Sequence, residues 1–255
     1  MNEERIRQFS IEKTRQQVHI IMTTYREKPE RHALFQAAMA SLATRTRVPA
    51  TLWLMDEGAG EPLSAAKLQV MLAGSSITLG ALCRAGRRIG QAAQFNRGYA
   101  LVEDCVRQQS WPWRLYLVKT EDDFEFTEAW LARMIATWEH PTLAGHNIGM
   151  LGGANGEPGD RVPVGEETVR ITYHVAAGCM FAPLALWRDY LPVPPRPAED
   201  VQGGEPPTLE SGVDWMVTRR GLRSVSARGR RCALLEDLII HRGRGQSTWM
   251  EQDRQ

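Results

Sequence analysis

Cysteine is scarce in this sequence of 255 residues, and its four copies lie far apart. They are Cys83, Cys105, Cys179 and Cys232. None belongs to a CxxC pair, so the spacing argues against both a structural zinc site and a disulfide framework. Reduced thiols are typical of the cytoplasm, where disulfides rarely persist.

Long apolar runs are also missing. No stretch approaches the roughly 18 consecutive apolar residues that a membrane-spanning helix needs. The N-terminal stretch MNEERIRQFSIEKTRQQ is polar and charged, unlike a secretory signal peptide. We therefore expect a cytoplasmic protein without a membrane span, or a bacteriophage-encoded protein that acts in the host cytoplasm.

Lysine is scarce as well, so arginine carries nearly all of the positive charge. The net charge of +1 favours no partner, but residues 215–245 hold eight arginines and only two acids. These arginines are Arg219, Arg220, Arg223, Arg228, Arg230, Arg231, Arg242 and Arg244. A guanidinium binds phosphate through two parallel hydrogen bonds, so the cluster suits a phosphate-bearing partner. The alternative is that the arginine content reflects a GC-rich genome.

Short apolar runs alternate with helical patterns in the first half of the chain. Strands are predicted at 18–23, 51–56, 76–83 and 115–118, each followed by a helical pattern. Such a series predicts a single α/β domain with a Rossmann-like, mainly parallel sheet and helices on both faces. No GxGxxG opens any of the helices, which disfavours a nicotinamide-binding Rossmann domain.

Three consecutive acids, Glu121, Asp122 and Asp123, follow the fourth predicted strand. Adjacent carboxylates raise one another's pKa unless a cation compensates them. Ligands of open α/β sheets collect beyond the carboxyl ends of the strands, where Asp56 also falls. The pattern therefore indicates a divalent-metal site that holds phosphates. The alternative is a solvated acidic turn before a helix that Thr127 would cap.

The second half of the chain is less regular. A Gly-rich stretch at 152–165 precedes a strand-like run at 169–173, which favours a β-hairpin. The Pro-rich stretch 192–211 buries little and predicts a mobile surface loop. A short helix is predicted over 212–220, ending at Gly221.

Several segments together resemble the family 2-like glycosyltransferases, which have the A-type nucleotide-sugar fold. They are VHIIMTTYREKPERHALFQAAMASL, TLWLMDEGAGE, GQAAQFNRGYA, LYLVKTEDDFEF, SGVDWMVTRRGLRSV and LLEDLIIHRG. In order they cover nearly the whole chain. The resemblance implies an N-terminal arm or helix (1–17), a nucleotide-sugar-binding half (18–140), an acceptor-binding and catalytic half (141–245) and a tail (246–255).

The resemblance also implies a donor site. Its residues would be Thr23, Thr24, Tyr25, Asp56, Asn96, Arg97, Asp122 and Arg242. Asp56 would accept a hydrogen bond from the base or ribose of a UDP-sugar, and the turn that begins at Thr23 would wrap the uracil. The alternatives are that Asp56 is a turn acid and that Asn96 and Arg97 are solvated helix residues.

A cation site is implied by the same resemblance. Glu121 and Asp123 would form the family's Asp-x-Asp pair, and His241 would complete a Mn²⁺ or Mg²⁺ site. Carboxylate oxygens suit these ions, and the donor diphosphate would supply further ligands. Glu121 departs from the usual Asp of the family. A lone histidine such as His241 is otherwise more often structural.

For the catalytic base, the resemblance implies Asp214, which would deprotonate an acceptor hydroxyl during an inverting displacement. The family's usual Glu-Asp pair is replaced here by Ser211-Gly212, so Glu210 competes for the role. Trp215 would stack on a sugar or pack in the core.

The resulting prediction is a metal-dependent hexosyltransferase that uses a nucleotide sugar. The alternatives are a nucleotidyltransferase of the same fold and a non-catalytic binding protein on a decayed glycosyltransferase scaffold. The first alternative is disfavoured because TTYREKPE lacks the glycines of a signature loop. The acceptor stays open. The arginine cluster would suit an anionic acceptor such as hydroxymethylated phage DNA, or would serve only the donor diphosphate and solvent.

Overall fold

The computed structural model describes residues 16–26, 29–57, 62–85, 89–108, 114–153, 158–176, 178–193, 213, 216–220 and 222–242. Of residues 16, 216 and 220 it describes the backbone alone. The predicted arm lies outside these ranges except for its last two residues, which belong to the first strand. The predicted tail and nearly all of the predicted loop at 192–211 also lie outside them.

Alternating strands and helices build the first half of the chain, as predicted. They are β1 (Gln16–Thr24), α1 (Pro29–Arg45), β2 (Ala50–Asp56), α2 (Ala65–Met71), β3 (Ile77–Arg84), α3 (Gln91–Gln108) and β4 (Arg114–Glu121). β4 runs past its predicted end because Lys119, Thr120 and Glu121 still pair with β1. The first acid of the triplet therefore belongs to the strand.

Shorter elements follow. They are β5 (Phe124–Phe126), α4 (Trp130–Glu139), α5 (Pro141–Ala144), β6 (Ile148–Gly152), β7 (Asp160–Val164), β8 (Glu167–Thr172), β9 (Cys179–Pro183), α6 (Leu184–Tyr190), a π-helix (Met216–Arg220), a 3-10 helix (Ser226–Arg228), β10 (Arg231–Leu235) and β11 (Ile239–His241). The predicted hairpin is formed by β7 and β8. Of the predicted helix over 212–220, the structure describes residue 213 and residues 216–220. The second of these ranges forms the π-helix.

Thr127 does not cap α4, so that prediction is wrong. The helix begins three residues later, at Trp130, and Ala129 precedes it in the left-handed conformation without a side-chain cap. The Thr127 hydroxyl instead donates to the carbonyl oxygen of Leu238 at 2.8 Å. Thr127 therefore ties the start of this helical segment to the chain entering β11, a contact between residues more than a hundred positions apart.

In the described ranges, nine strands form one mixed sheet in the order β3-β2-β1-β4-β9-β6-β10-β8-β7. β1 is parallel to both β2 and β4, and β9 is antiparallel to β4 and to β6. β5 and β11 form a separate antiparallel pair. The predicted α/β fold is confirmed, and the carboxyl ends of β1, β2 and β4 lie side by side at one edge of the sheet.

The sheet is covered on both faces because alternate residues of its strands point to opposite sides. In β1, Ile20 and Met22 pack with Phe35 of α1 and Trp130 of α4, and these side chains are fully buried or nearly so. Ile21 packs on the other face, in a cluster that includes residues of α3 and α6. Among the described residues, no helix has the length and hydropathy that crossing a bilayer requires.

α3 lies unusually close to the sheet at Gly98, a glycine of the GQAAQFNRGYA segment. A Cβ at this position would come within 2.8 Å of Ile21 Cγ2 and 3.2 Å of the Met55 side chain. No larger residue fits without displacing β1 or β2 side chains. The glycine in this segment therefore has a packing reason, independent of any ligand.

His19 of β1 is buried in the same face of the sheet and is uncharged there. Its Nδ1 accepts a 3.1 Å hydrogen bond from Trp53 Nε1, which is only a donor, so the ring proton resides on Nε2. Nε2 is buried and has no hydrogen-bond partner among the described residues. Burial lowers the pKa of His19 from 6.5 to about 4. Protonation would add a buried charge at a position that cannot solvate it.

We predict that His19 makes the protein less stable at mildly acidic pH. The unfolded chain binds a proton here below pH 6.5, whereas the folded chain stays neutral until about pH 4. Stability is therefore lost as the pH falls between these two values. His19→Asn keeps an acceptor for Trp53 but does not titrate. Urea unfolding at pH 7.5 and 5.0 should show wild type losing about 2 kcal/mol more than this variant. Equal losses would contradict the prediction.

Candidate active site

Polar residues at the ends of three neighbouring strands form one row at the carboxyl edge of the sheet. Thr24 is paired with Asp56 across β1 and β2, and Thr23 is paired with Glu121 across β1 and β4. This is the edge where ligands of open α/β sheets bind. The register therefore brings the predicted donor and metal residues to one place, although they are about a hundred positions apart in the chain.

Asp56 is fully buried and is held by cations of the same chain. Arg26 Nη2 donates to Asp56 Oδ2 at 3.0 Å, and both side chains are inaccessible to solvent. Arg84 Nε lies 3.9 Å from the same oxygen. Arg26 also lies over the Phe35 ring, with its guanidinium carbon 5.4 Å from the centroid. The packed guanidinium fixes the direction in which the Asp56 carboxylate points.

The three acids of the triplet have different partners. Glu121 accepts a hydrogen bond from Lys119, whose side chain is fully buried. Asp122 accepts one from the Thr24 hydroxyl at 2.6 Å and one from Arg31. The triplet is therefore a set of ordered ion pairs, and the alternative of a solvated acidic turn is wrong because Asp122 and Asp123 are both buried.

Asp123 combines an ion pair with an imidazole contact. Its Oδ2 accepts a 2.9 Å hydrogen bond from Arg31 Nη1, and His241 Nε2 lies 3.4 Å from the same oxygen. Its Oδ1 is buried and has no hydrogen-bond partner in the part of the chain that the structure describes. One lone-pair-bearing oxygen of a buried carboxylate thus remains available beside an imidazole.

The pKa values of the two buried acids, Asp122 and Asp123, shift in opposite directions. Desolvation raises the pKa of Asp122 to about 7, and the charge of Arg31 only partly opposes this effect. Desolvation also acts on Asp123, but the hydrogen bond with His241 and the charge of Arg31 outweigh it and hold the pKa of Asp123 below its usual value. At neutral pH, Asp123 is therefore the carboxylate that carries a full negative charge.

β11 delivers His241 to this edge through its pairing with β5. His241 is opposite Phe124 in the ladder, and the two rings stack at 4.5 Å with an interplanar angle of 16°. The Arg242 amide donates to the Asp123 carbonyl at 2.9 Å. The Arg242 guanidinium pairs with Glu125 at 3.0 Å, so its assignment to the donor site stays a prediction.

Asp123 and His241 are the two predicted metal ligands that the structure brings together. Glu121, the third, is engaged by Lys119. No group of three or more His, Cys, Asp or Glu side chains in the described ranges is arranged to hold a metal. The chemistry of the pair nevertheless fits a hard divalent cation that takes one or two protein ligands and completes its shell with substrate phosphates and water. The free Oδ1 of Asp123 supplies such a ligand.

Other predicted residues are placed as follows. Thr23 is buried and its hydroxyl has no partner among the described residues. The Asn96 amide exchanges two hydrogen bonds with the backbone of Val193, at 2.8 and 2.9 Å, so it anchors the chain that enters the predicted loop. Arg97 is exposed on α3. The donor roles of these three residues stay predictions.

The predicted catalytic residues Asp214 and Glu210 lie outside the described residues, as does Trp215. Their neighbour Val213 is fully buried in the cluster that packs against α3 and α6.

The sequence reasoning did not assign Arg26, Arg31 or Lys119 to the site. One signal was available for Arg31. It lies in the first turn of α1, where the helix dipole disfavours a cation, so its position there calls for an anionic partner elsewhere. The pairing of Arg26 with Asp56 depends on strand register, which the sequence does not show.

Neither a protein-family model nor a curated protein matches this chain. Solved structures do. Residues 1–349 of Staphylococcus aureus TarS are 13% identical, with a TM-score of 0.51 over 87% of this chain and 58% of that one. The mannosyltransferase PcManGT from Pyrobaculum calidifontis, in complex with GDP-Man and Mn²⁺, is 14% identical, with a TM-score of 0.51 over 87% and 56%. The chain thus spans little more than half the length of either, and the similarity shows the A-type glycosyltransferase fold.

We predict that the Arg26–Asp56 pair is a stability determinant of this edge. Arg26→Gln removes the nearest cation from a fully buried carboxylate, which should cost about 3–5 kcal/mol of unfolding free energy. Arg84→Gln is the matched control, because this partly exposed arginine is 3.9 Å away and should contribute under about 1 kcal/mol. Urea unfolding measures both. Equal losses would show that Arg26 does not hold Asp56.

Proposed function

We propose that this protein is a glycosyltransferase that moves a hexose from a nucleotide sugar, a UDP-sugar, to an acceptor hydroxyl with the help of Mn²⁺ or Mg²⁺. The observation that carries the proposal is the contact between Asp123 and His241 at the end of β4, with Asp123 Oδ1 still available. Its support is the A-type fold, whose carboxyl sheet edge also holds the Asp56–Arg26 pair.

Asp56 and the turn after β1 would bind the nucleoside. Arg26 holds the Asp56 carboxylate in one orientation, which suits a hydrogen-bond acceptor for a base or ribose. Asp122 fixes the turn by accepting from the Thr24 hydroxyl and, at 3.3 Å, from the Tyr25 amide. The turn is thus preorganised before any donor arrives, and binding costs less conformational entropy.

Asp123 and His241 would hold the divalent cation, with Glu121 as the third predicted ligand. When bound, such a cation neutralises charge that develops on the diphosphate leaving group. Stacking on Phe124 holds the His241 ring, and the Arg242 amide holds the Asp123 backbone. These contacts fix His241 on β11 and Asp123 in the turn before β5, which favours the positional accuracy that catalysis needs.

For the displacement itself, Asp214 would take the proton of the acceptor hydroxyl while the oxygen attacks the anomeric carbon. The bond from that carbon to the diphosphate breaks, the nucleoside diphosphate leaves, and the configuration inverts. Glu210 is the alternative base. Val213 and Val217, which flank Asp214 in the sequence, are both buried in the domain core.

The acceptor would be a compound with a free hydroxyl group. The arginine cluster does not identify its chemical class. Arg230 donates to Asp189 at 3.0 Å and to the Tyr190 hydroxyl at 3.1 Å, and Arg242 pairs with Glu125. Arg230 and Arg242 therefore act within the fold. The pairing of these two arginines supports a structural role for them and gives no support to hydroxymethylated DNA as the acceptor.

We predict cation-dependent turnover of a nucleotide sugar. Incubation with UDP-sugars and Mn²⁺ should release UDP, measured by mass spectrometry, and a chelator should abolish the release. Asp123→Asn should lower the affinity for Mn²⁺ in the presence of UDP by about tenfold or more. Asp104→Asn is the matched control, since Asp104 is exposed on α3 and pairs with Arg107.

Two results would contradict the proposal in different ways. UDP binding without release from any UDP-sugar, even with acceptors screened, would indicate a binding protein on the same scaffold. Formation of a nucleotide sugar from a sugar phosphate and a nucleoside triphosphate, with pyrophosphate released, would indicate a nucleotidyltransferase.

A further inference from the structure

Arg31 occupies a position between the two buried acids of the triplet. Its Nη1 donates to Asp123 Oδ2 at 2.9 Å, its Nη2 donates to Asp122, and its Nε lies 3.4 Å from the Tyr25 carbonyl oxygen. The Arg31 side chain retains 14% of its exposure, against 1% for Asp122 and 9% for Asp123. Arg31 is therefore the most exposed of the three side chains, and its guanidinium contacts both carboxylates.

Helix stability does not explain a cation at this position. Arg31 is in the first turn of α1, where the aligned peptide dipoles favour acids. Its compensation comes from the two carboxylates, which would otherwise be adjacent, buried and of like charge. Arg31 thus supplies the positive charge that keeps this pair ordered in the described structure.

Asp123, one of these two carboxylates, is also the one proposed to hold the divalent cation. If a guanidinium and a divalent ion both contact Asp123, the two cations repel each other. Arg31 contacts Asp122 and Asp123 through different nitrogens, so the contact with Asp123 can be released while that with Asp122 is kept. The released Nη1 N–H group would then need a new acceptor, and a phosphate oxygen of the donor offers one in a charge-assisted hydrogen bond.

We propose that Arg31 is the resident cation of this site and a positioning residue for the donor, an inference that rests on the proposed function. Before ligands bind, Arg31 holds Asp122 and Asp123 and competes with the divalent ion. When the nucleoside diphosphate and the divalent ion arrive together, Arg31 keeps Asp122 and turns to the diphosphate. The divalent ion alone therefore binds weakly, and its binding is coupled to that of the nucleotide through Arg31.

The test uses the full chain, with Mn²⁺ and UDP as probes and calorimetric titration as the readout. In Arg31→Gln, the affinity for Mn²⁺ without nucleotide should rise by about tenfold or more, because a competing charge is removed. The affinity for UDP at saturating Mn²⁺ should fall by a similar factor. Arg133→Gln is the matched control, because Arg133 forms a two-point ion pair with Glu167 away from this edge, and it should change neither affinity.

Arg31→Lys keeps the positive charge but cannot contact both acids with a planar fork. It should show the same two changes at smaller size, and it keeps the test decisive should the glutamine variant not fold. The proposal is overturned if folded Arg31→Gln leaves the affinity for Mn²⁺ without nucleotide within about twofold of wild type. Should only Arg31→Lys fold, the proposal is overturned if that variant leaves the affinity for UDP at saturating Mn²⁺ within about twofold of wild type.

Failure of the proposed function would be seen separately. The titrations contain no sugar donor, so they report on Arg31 whether or not transfer occurs. Absence of UDP release from every UDP-sugar would remove the proposed reaction while leaving the Mn²⁺ result standing. An unchanged Mn²⁺ affinity together with active transfer would remove only the role of Arg31.

Discussion

Two adjacent carboxylates buried at the end of a parallel strand are the constraint on which this edge of the molecule depends. Asp122 and Asp123 cannot both be charged and buried unless a cation lies between them. Arg31 meets that need from α1, and His241 approaches from β11. The electrostatic requirement therefore links the first helix, the fourth strand and the end of the described chain, which are distant in sequence.

A second charged pair repeats the arrangement two strands away, on the other side of β1. Asp56 at the end of β2 is held by Arg26, which follows β1, and both are excluded from solvent. In each case a buried acid at a strand end is fixed by an arginine that follows β1, Arg26 from the turn after the strand and Arg31 from the first turn of α1. Fixed carboxylates of this kind are preorganised acceptors, so a nucleotide and a cation would meet groups that need little rearrangement.

The fold could be predicted because its cause is local and periodic. Apolar runs alternating with amphipathic helices require a sheet covered on both faces, and strand ends then share an edge. The hydrogen-bond partners of individual polar side chains could not be predicted in the same way. Thr127 lies where a helix cap is expected from the sequence, but its hydroxyl donates a hydrogen bond to the carbonyl oxygen of Leu238. The Asn96 amide holds the backbone of Val193, and its donor role stays a prediction. Each polar side chain bonded to a distant backbone group, which no local pattern encodes.

The sequence by itself determined the β–α alternation and the presence of acids at the ends of β2 and β4. It did so because these features follow from hydrophobic periodicity, which acts over a few positions. Only the tertiary structure decided which cation meets which acid. Strand register and the path of α1 place Arg26 at Asp56 and Arg31 between Asp122 and Asp123. The acidic triplet was visible in the sequence, whereas the arginine that holds it in place depends on contacts across about ninety residues.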